Sequence, residues 1–186
     1  MGEGRLVVTV LFIGLALLRD MGASEAEVLS AELQRLGVRS ALVLQSQALD
    51  EEPVWAPDGG AIAVNIEGSW KRLDLSHIVL MKAEWHGGVP LGFLQSPSLT
   101  PLKESDLARW KAGGRRDPRK ITTRAGTAVE MKSVDLGTAF VISPKGKAPE
   151  VLWKTSMENC HSLSLSPDER LVAFICELNG LVVTKL

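Results

Sequence analysis

The sequence predicts a mainly β protein that begins with a short helix, and three observations favour this fold class. An apolar, strand-like stretch follows the same proline–aspartate corner twice, once within 53–75 and once within 163–186. One amphipathic helical pattern precedes both stretches, within 25–40. Hydrophobic residues make up 45% of the chain and the net charge is −1, values that are typical of a folded domain.

The repeated corner follows from its residue types. It consists of Pro57, Asp58 and Gly59 in the first copy, and of Pro167 and Asp168 in the second. Proline presets φ near about −65°, aspartate accepts a hydrogen bond from the backbone two residues on, and glycine tolerates a positive φ. We therefore expect a tight hairpin in each copy. The arms after the corners are almost continuously apolar, which predicts strands covered on both faces.

These hairpins have the pattern of β-propeller blades, which need neighbouring blades to bury their faces. Ala56-Pro57-Asp58-Gly59 followed by Ile62-Ala63-Val64 resembles the repeat of the TolB-like, WD40-like β-propeller proteins. The segment AFVISPKGKAPEVLWKT at 139–155 is similar to the strands that precede such a hairpin. The second hairpin departs from the repeat because Glu169 stands where glycine is usual. The resemblance implies antiparallel blades, at about 41–93 and 128–186, in a protein that binds other proteins.

The length of the chain conflicts with a closed ring. A blade takes about 40 to 45 residues and a closed ring needs about four to eight blades, whereas the chain has 186 residues. We expect partial or irregular propeller-like blades over 41–186, with a loop insertion at about 95–124 that contains a short helix at Ser105–Lys111. The alternatives are another two-layer β arrangement and a homo-oligomer in which several protomers complete the propeller.

Residues 1–24 have the features of a secretory leader. Arg5 precedes an apolar run at 6–18, and small residues follow at 22–24. The run is shorter than the about 20 residues that span a bilayer. The sequence thus predicts a periplasmic or secreted protein. In the alternative, the protein is cytoplasmic and this stretch is a buried strand that forms a βαβ unit with the helix and the strand after it.

The two cysteines are predicted to face each other. Counted outward from the second corner with a three-residue loop, Ser166 faces Arg170 and Cys160 faces Cys176. A disulfide between them would agree with an oxidising compartment, and the alternative is two buried thiols. The scattered histidines lack ligand spacing, so we expect neither a metal site nor a cofactor.

Five basic residues cluster inside the insertion. They are Lys111, Arg115, Arg116, Arg119 and Lys120. We interpret them as solvated loop residues or as contacts with an anionic protein surface or lipid headgroup. Nucleic acid is not expected, because no aromatic residues are interleaved with the charges and the chain is slightly acidic.

No residue qualifies for a catalytic role. The chain has no Gly-x-Ser-x-Gly, no His-Glu-x-x-His and no phosphate-binding glycine loop. The shared turn context of Asp58 and Asp168 explains both carboxylates structurally. We expect a non-enzymatic cell-envelope module that binds another protein. The alternatives are an accessory or truncated fragment of a propeller-containing hydrolase and a propeller that binds a small ligand.

Overall fold

The structure is a computed structural model that describes residues 25–46, 48–75, 79–86, 89–94, 97–156, 159–177 and 180–186. The predicted leader at 1–24 lies outside these residues. The described part of the chain is mainly β, with two helices and fifteen strands. The strands form three sheets, and none of the three is closed.

The elements are numbered here in chain order. The helices are α1 (Glu25–Leu36) and α2 (Glu104–Gly113). The strands are β1 (Ser40–Gln45), β2 (Val54–Trp55), β3 (Ala61–Ile66), β4 (Ser69–Asp74), β5 (Leu80–His86), β6 (Val89–Leu94), β7 (Ser98–Pro101), β8 (Arg115–Asp117), β9 (Lys120–Thr122), β10 (Ala128–Val134), β11 (Gly137–Ser143), β12 (Glu150–Ser156), β13 (Cys160–Leu165), β14 (Leu171–Cys176) and β15 (Gly180–Lys185).

Helix α1 forms where the amphipathic pattern predicted it. Leu29 and Leu33 lie on its apolar stripe and are fully buried. The helix ends at Leu36, and the next residue, Gly37, has φ +67° and donates its N–H to the Gln34 carbonyl at 3.0 Å. Glycine adopts this left-handed conformation without steric cost, so it terminates the helix and directs the chain into β1.

A buried carboxylate fixes α1 to the sheet. Glu32 Oε2 accepts the Leu80 N–H of β5 at 3.0 Å and an Arg35 guanidinium N–H at 2.9 Å. The same arginine also donates to the Leu80 carbonyl. Because the Glu32 carboxylate is hydrogen-bonded and paired with a partly exposed arginine, the helix can bury this charge where it meets β5.

Each sheet contains four neighbouring antiparallel strands. These four-stranded units have the strand orders β2-β3-β4-β7, β9-β10-β11-β12 and β13-β14-β15-β1. The third unit joins the two ends of the described chain, because β1 pairs with β15 from Ser40–Thr184 to Gln45–Gly180. Its sheet reaches seven strands by adding β8 beside β13, and β6 and β5 beyond β1. The β1–β6 pair is parallel.

The predicted division into blades at 41–93 and 128–186 was wrong. Strand β1 belongs to the sheet of the C-terminal hairpin, and 128–186 is divided between two sheets. A further four-stranded unit forms because β9 pairs with β10 at the Ala128–Thr122 register. The pairing of β1 with β15 joins segments that are distant in sequence, so no local pattern of residues indicates it, whereas β9 and β10 are consecutive strands in the chain.

The segment at 95–124 contains the predicted short helix, but it is not a loop insertion. Its described part contains β7, α2, β8 and β9. Strand β7 completes the first four-stranded unit by pairing with β4, and β8 pairs with β13. The helix extends beyond the predicted Ser105–Lys111 at both ends. Strands of three or four residues are too short to show an alternating apolar pattern, so the sequence did not reveal them.

The core lies where the sheets pack against one another and against α1. Strand β3 is buried at five of its six positions, and β14 at all six. This confirms the prediction that both arms are covered on both faces. Phe174 of β14 stacks on Phe140 of β11, with 5.6 Å between ring centroids, and so joins two of the sheets.

Candidate functional site

The first corner is closed by backbone hydrogen bonds and by its aspartate. The Ala56 N–H donates to the Ala61 carbonyl and the Gly59 N–H donates to the Ala56 carbonyl, both at 2.9 Å. Asp58 Oδ1 accepts the Gly60 N–H at 2.9 Å. Gly59 has φ +75°. The aspartate therefore holds its own turn, in the way expected for this residue type.

The second corner repeats this arrangement. The Ser166 N–H donates to the Leu171 carbonyl and the Glu169 N–H donates to the Ser166 carbonyl, again at 2.9 Å. Asp168 Oδ1 accepts the Arg170 N–H at 3.2 Å. Glu169, in the place of the glycine, has φ +59°. The two corners thus share one backbone conformation despite different side chains.

The two cysteines are joined in a disulfide, with 4.1 Å between their Cα atoms. The predicted pairing of Cys160 with Cys176 is present, but the register that predicted it was wrong in one detail. Ser166 lies opposite Leu171 rather than Arg170, so the loop is one residue longer than expected. A bulge between His161 and Ser164 on β13 restores the register.

The two hairpins touch through a tryptophan. Trp55, at the end of β2, donates its indole N–H to the Ser164 carbonyl of β13 at 3.0 Å. Its side chain is almost fully buried. Because a buried indole N–H needs an acceptor, this bond fixes the incoming strand of one hairpin against that of the other.

A cleft of about 220 Å³ opens beside this contact. Its walls are Trp55 and Pro57 of the first hairpin, Leu165 and Pro167 of the second, and Trp110 of α2. Both proline–aspartate corners and α2 therefore meet at one concave, mostly apolar surface. The predicted helix at Ser105–Lys111 contains Trp110, but no sequence pattern placed this residue beside the two corners.

Three charged residues line the same cleft: Arg115, Arg124 and Glu169. The Arg115 guanidinium donates to the Glu169 carboxylate and to the Thr122 carbonyl. The Arg124 N–H donates to Glu169 Oε2 at 2.7 Å, and Arg124 Nε lies 3.5 Å from Oε1. Two arginines thus surround one carboxylate, which leaves one net positive charge. The sequence signal for this cluster was Glu169 at a glycine position.

The other predicted basic contacts are mostly engaged within the chain. Lys111 pairs with Glu51 at 3.1 Å, and Arg116 donates to the Lys111 carbonyl at 3.2 Å. Arg119 donates to the Cys160 carbonyl at 3.4 Å, whereas Lys120 is exposed to solvent. Of the five residues predicted to contact an anionic partner, only Arg115 lines the cleft.

A serine, a histidine and a glutamate lie together near the disulfide, a grouping that the sequence analysis did not identify. His161 Nδ1 is 2.6 Å from Ser162 Oγ, and its Nε2 is 3.9 Å from Glu177 Oε1. Ser162 is buried and has φ +64° at the bulge. The serine and histidine are neighbours in the chain, and 3.9 Å is too long for a hydrogen bond. We assign this group to the bulge rather than to catalysis.

Comparisons with protein-family models, with curated proteins and with solved structures found no match to this chain. The resemblance to TolB-like propellers therefore stays a prediction. Within the described ranges, no three His, Cys, Asp or Glu residues are placed to hold a metal ion. No helix in this part of the chain is long and apolar enough to cross a membrane.

Proposed function

We propose that this chain is a non-catalytic interaction module of the cell envelope, built from TolB-like propeller blades. Three four-stranded antiparallel units support the propeller interpretation, since a blade is such a unit. In this interpretation β1 is the outer strand of the last blade and joins it to the start of the fold. The disulfide supports export, because such bonds persist in oxidising compartments.

The outer edges of the three sheets support a binding role most directly. Strands β5, β7 and β12 each end a sheet in the described structure. Each carries an exposed large apolar side chain: Met81 (55% exposed), Leu99 (39%) and Val151 (58%). Unprotected edge strands accept an added strand from another chain, and exposed apolar residues favour such contacts. At β5 this holds only beyond Leu80, because the N–H and carbonyl of Leu80 are already bonded to Glu32 and Arg35 of α1. The partner would thus bind by extending one of these sheets.

Site-specific photocrosslinking tests this mode of binding. A photoreactive residue at position 81, 99 or 151 of the full chain, produced in its native cells, should crosslink to one discrete protein from at least one position. Leu136 is the matched control, because it is apolar and 81% exposed but lies in the turn between β10 and β11. Equal crosslinking at position 136, or none at any edge position, would contradict the proposal.

Export has an independent test. Amino-terminal sequencing of the mature protein should give a first residue close to Ala23–Ala26, where the small residues follow the apolar run. A mature protein that retains Met1 would contradict a periplasmic or secreted location.

The same edges raise the alternative that a second copy of this chain is the partner. Protomers that together complete a ring would form a closed, symmetric oligomer. The mass of the purified protein in solution separates the two cases. A monomer at micromolar concentration contradicts ring completion and leaves a different protein as the partner.

A further inference from the structure

We infer that the cleft between the two corners binds the carboxyl-terminal residue of a partner polypeptide. Arg124 and Arg115 would hold the terminal carboxylate, and the apolar walls would hold the side chain. This inference rests on the proposed function, because it takes the ligand to be part of a protein. It adds to that function a second contact, distinct from the edge strands.

The net positive charge of the cleft favours an anionic ligand. The lining contains the two arginines and Glu169, so one positive charge remains without a counterion. The Arg124 side chain is 79% exposed and approaches Glu169 only through Nε, at 3.5 Å. Its Nη groups have no hydrogen-bond partner among the described residues. A guanidinium with unused donors binds a carboxylate through two parallel hydrogen bonds.

The size and lining of the cleft fit a small apolar group next to the anionic group of the ligand. Its volume of about 220 Å³ lies below the about 300–1,000 Å³ of pockets that enclose a whole small-molecule ligand. Trp55, Leu165 and Trp110 are almost fully buried and form apolar walls. One amino-acid residue with an apolar side chain and a free carboxylate matches this space and this charge.

Glu169 acts as a positioning residue in this site. It holds a left-handed conformation, which is sterically unfavourable for a glutamate. Its carboxylate binds the Arg115 side chain and the Arg124 backbone N–H together. Glu169 thus keeps both arginines at the rim of the cleft, while the Arg124 guanidinium remains accessible to a ligand.

Titration of the full chain with N-acetyl-Ala-Leu tests the inference, with the C-terminal amide of the same dipeptide as the matched control. We expect saturable shifts of the Trp110 and Trp55 indole signals in NMR spectra with the free acid. The amide should bind about tenfold to a hundredfold more weakly, since it lacks the charge-assisted hydrogen bonds. Equal binding of acid and amide, or no binding of the acid, would overturn the inference.

Titration with acetate distinguishes a site for a polypeptide carboxyl terminus from a site for any small anion. Acetate should bind much more weakly than the dipeptide, because it leaves the apolar walls unfilled. Acetate binding as tight as that of the dipeptide would overturn the assignment to a polypeptide end.

Two arginine variants locate the binding. Arg124→Gln should weaken dipeptide binding about tenfold or more, with an unchanged melting temperature because the side chain is exposed. Arg109→Gln is the matched control, an exposed arginine of α2 that pairs with Asp106; it should bind normally. Unchanged binding by Arg124→Gln would overturn the inference. If the dipeptide fails while crosslinks persist at an edge strand, this inference fails and the proposed function stands.

Discussion

The hairpin β2–β3 and the hairpin β13–β14 turn through the same backbone hydrogen bonds but are secured by different side chains. At the first corner, Ala56 and Gly59 contribute only backbone groups. At the second, Ser166 Oγ donates to Asp168 Oδ1 at 2.6 Å and accepts the Leu171 N–H at 3.0 Å. The turn common to both copies therefore depends on proline and aspartate. The Ser166 and Glu169 side chains of the second copy add stabilising contacts and line the cleft.

The incoming strands also differ, and again the second hairpin has the more extensive contacts. Strand β2 has two residues, and the next pairing along that arm is an isolated bridge between Leu49 and Ile66. Strand β13 has six residues and is tied to β14 by the disulfide. We expect the second hairpin to be the more stable of the two, and the following variants measure the difference.

The largest difference should come from the fourth residue of each outgoing strand. Phe174→Ala removes a fully buried ring that stacks on Phe140 and should lower the free energy of unfolding by about 3–5 kcal/mol. Val64→Ala, at the matching position of β3, removes less buried surface and should cost about 1–2 kcal/mol. Urea denaturation measures both. Equal losses would show that the two arms are packed alike.

Removal of the disulfide should have the next largest effect. The bond joins residues 16 apart in sequence, and a closed loop of about this length contributes about 3 kcal/mol by restricting the unfolded chain. Reductant, or Cys160→Ala combined with Cys176→Ala, should lower the melting temperature accordingly. Reductant should leave the double variant unaffected. A wild-type protein with the same melting temperature in reductant would refute this contribution.

Substitutions at the third corner position should differ between the copies. Gly59→Ala places a side chain at φ +75° and should cost about 1–2 kcal/mol. Glu169→Gly relieves the same conformation but removes the ion pairs with Arg115 and Arg124, so its net effect should stay within about 1 kcal/mol. Both are measured by urea denaturation. A larger loss for Glu169→Gly than for Gly59→Ala would contradict this explanation.

The smallest effect should come from the residue before each corner, which is Ala56 in the first copy and Ser166 in the second. Ser166→Ala gives the second corner the residue found in the first and removes two side-chain hydrogen bonds. We expect a loss of about 1 kcal/mol, the usual net contribution of such bonds. Thermal unfolding measures it against Ser164→Ala, a fully buried serine of β13 whose Oγ has no hydrogen-bond partner among the described residues. No change in Ser166→Ala would mean that the backbone alone holds this turn.

Local sequence signals predicted local structure well, and their limit is visible at particular residues. Proline, aspartate and glycine predicted the corners, and the amphipathic pattern within 25–40 predicted α1. The cysteine pair was found by counting from a turn, although a longer loop and a bulge offset each other. The pairing of β1 with β15, at a sequence separation of 144 between Ser40 and Thr184, has no local signal. It is determined by how the whole chain packs.

The cleft also depends on contacts between distant parts of the chain that local sequence signals do not predict. Trp55 and the two prolines lie in predicted hairpins, whereas Trp110 and Arg124 come from the segment interpreted as a loop. Only the folded chain brings these residues together. Two sequence signals fall in the cleft: Arg115, which was predicted to contact an anionic partner, and Glu169 at a glycine position, an unfavourable residue in a repeated turn.

Residue-resolved amide hydrogen exchange, measured by NMR, tests the equivalence of the two corners most directly. The amides that close the corners should be slowed together in three pairs: Ala56 with Ser166, Gly59 with Glu169, and Leu75 with Leu186. We predict that both members of each pair exchange well below the rate of an unstructured chain. Protection at only one corner would contradict a repeated bend.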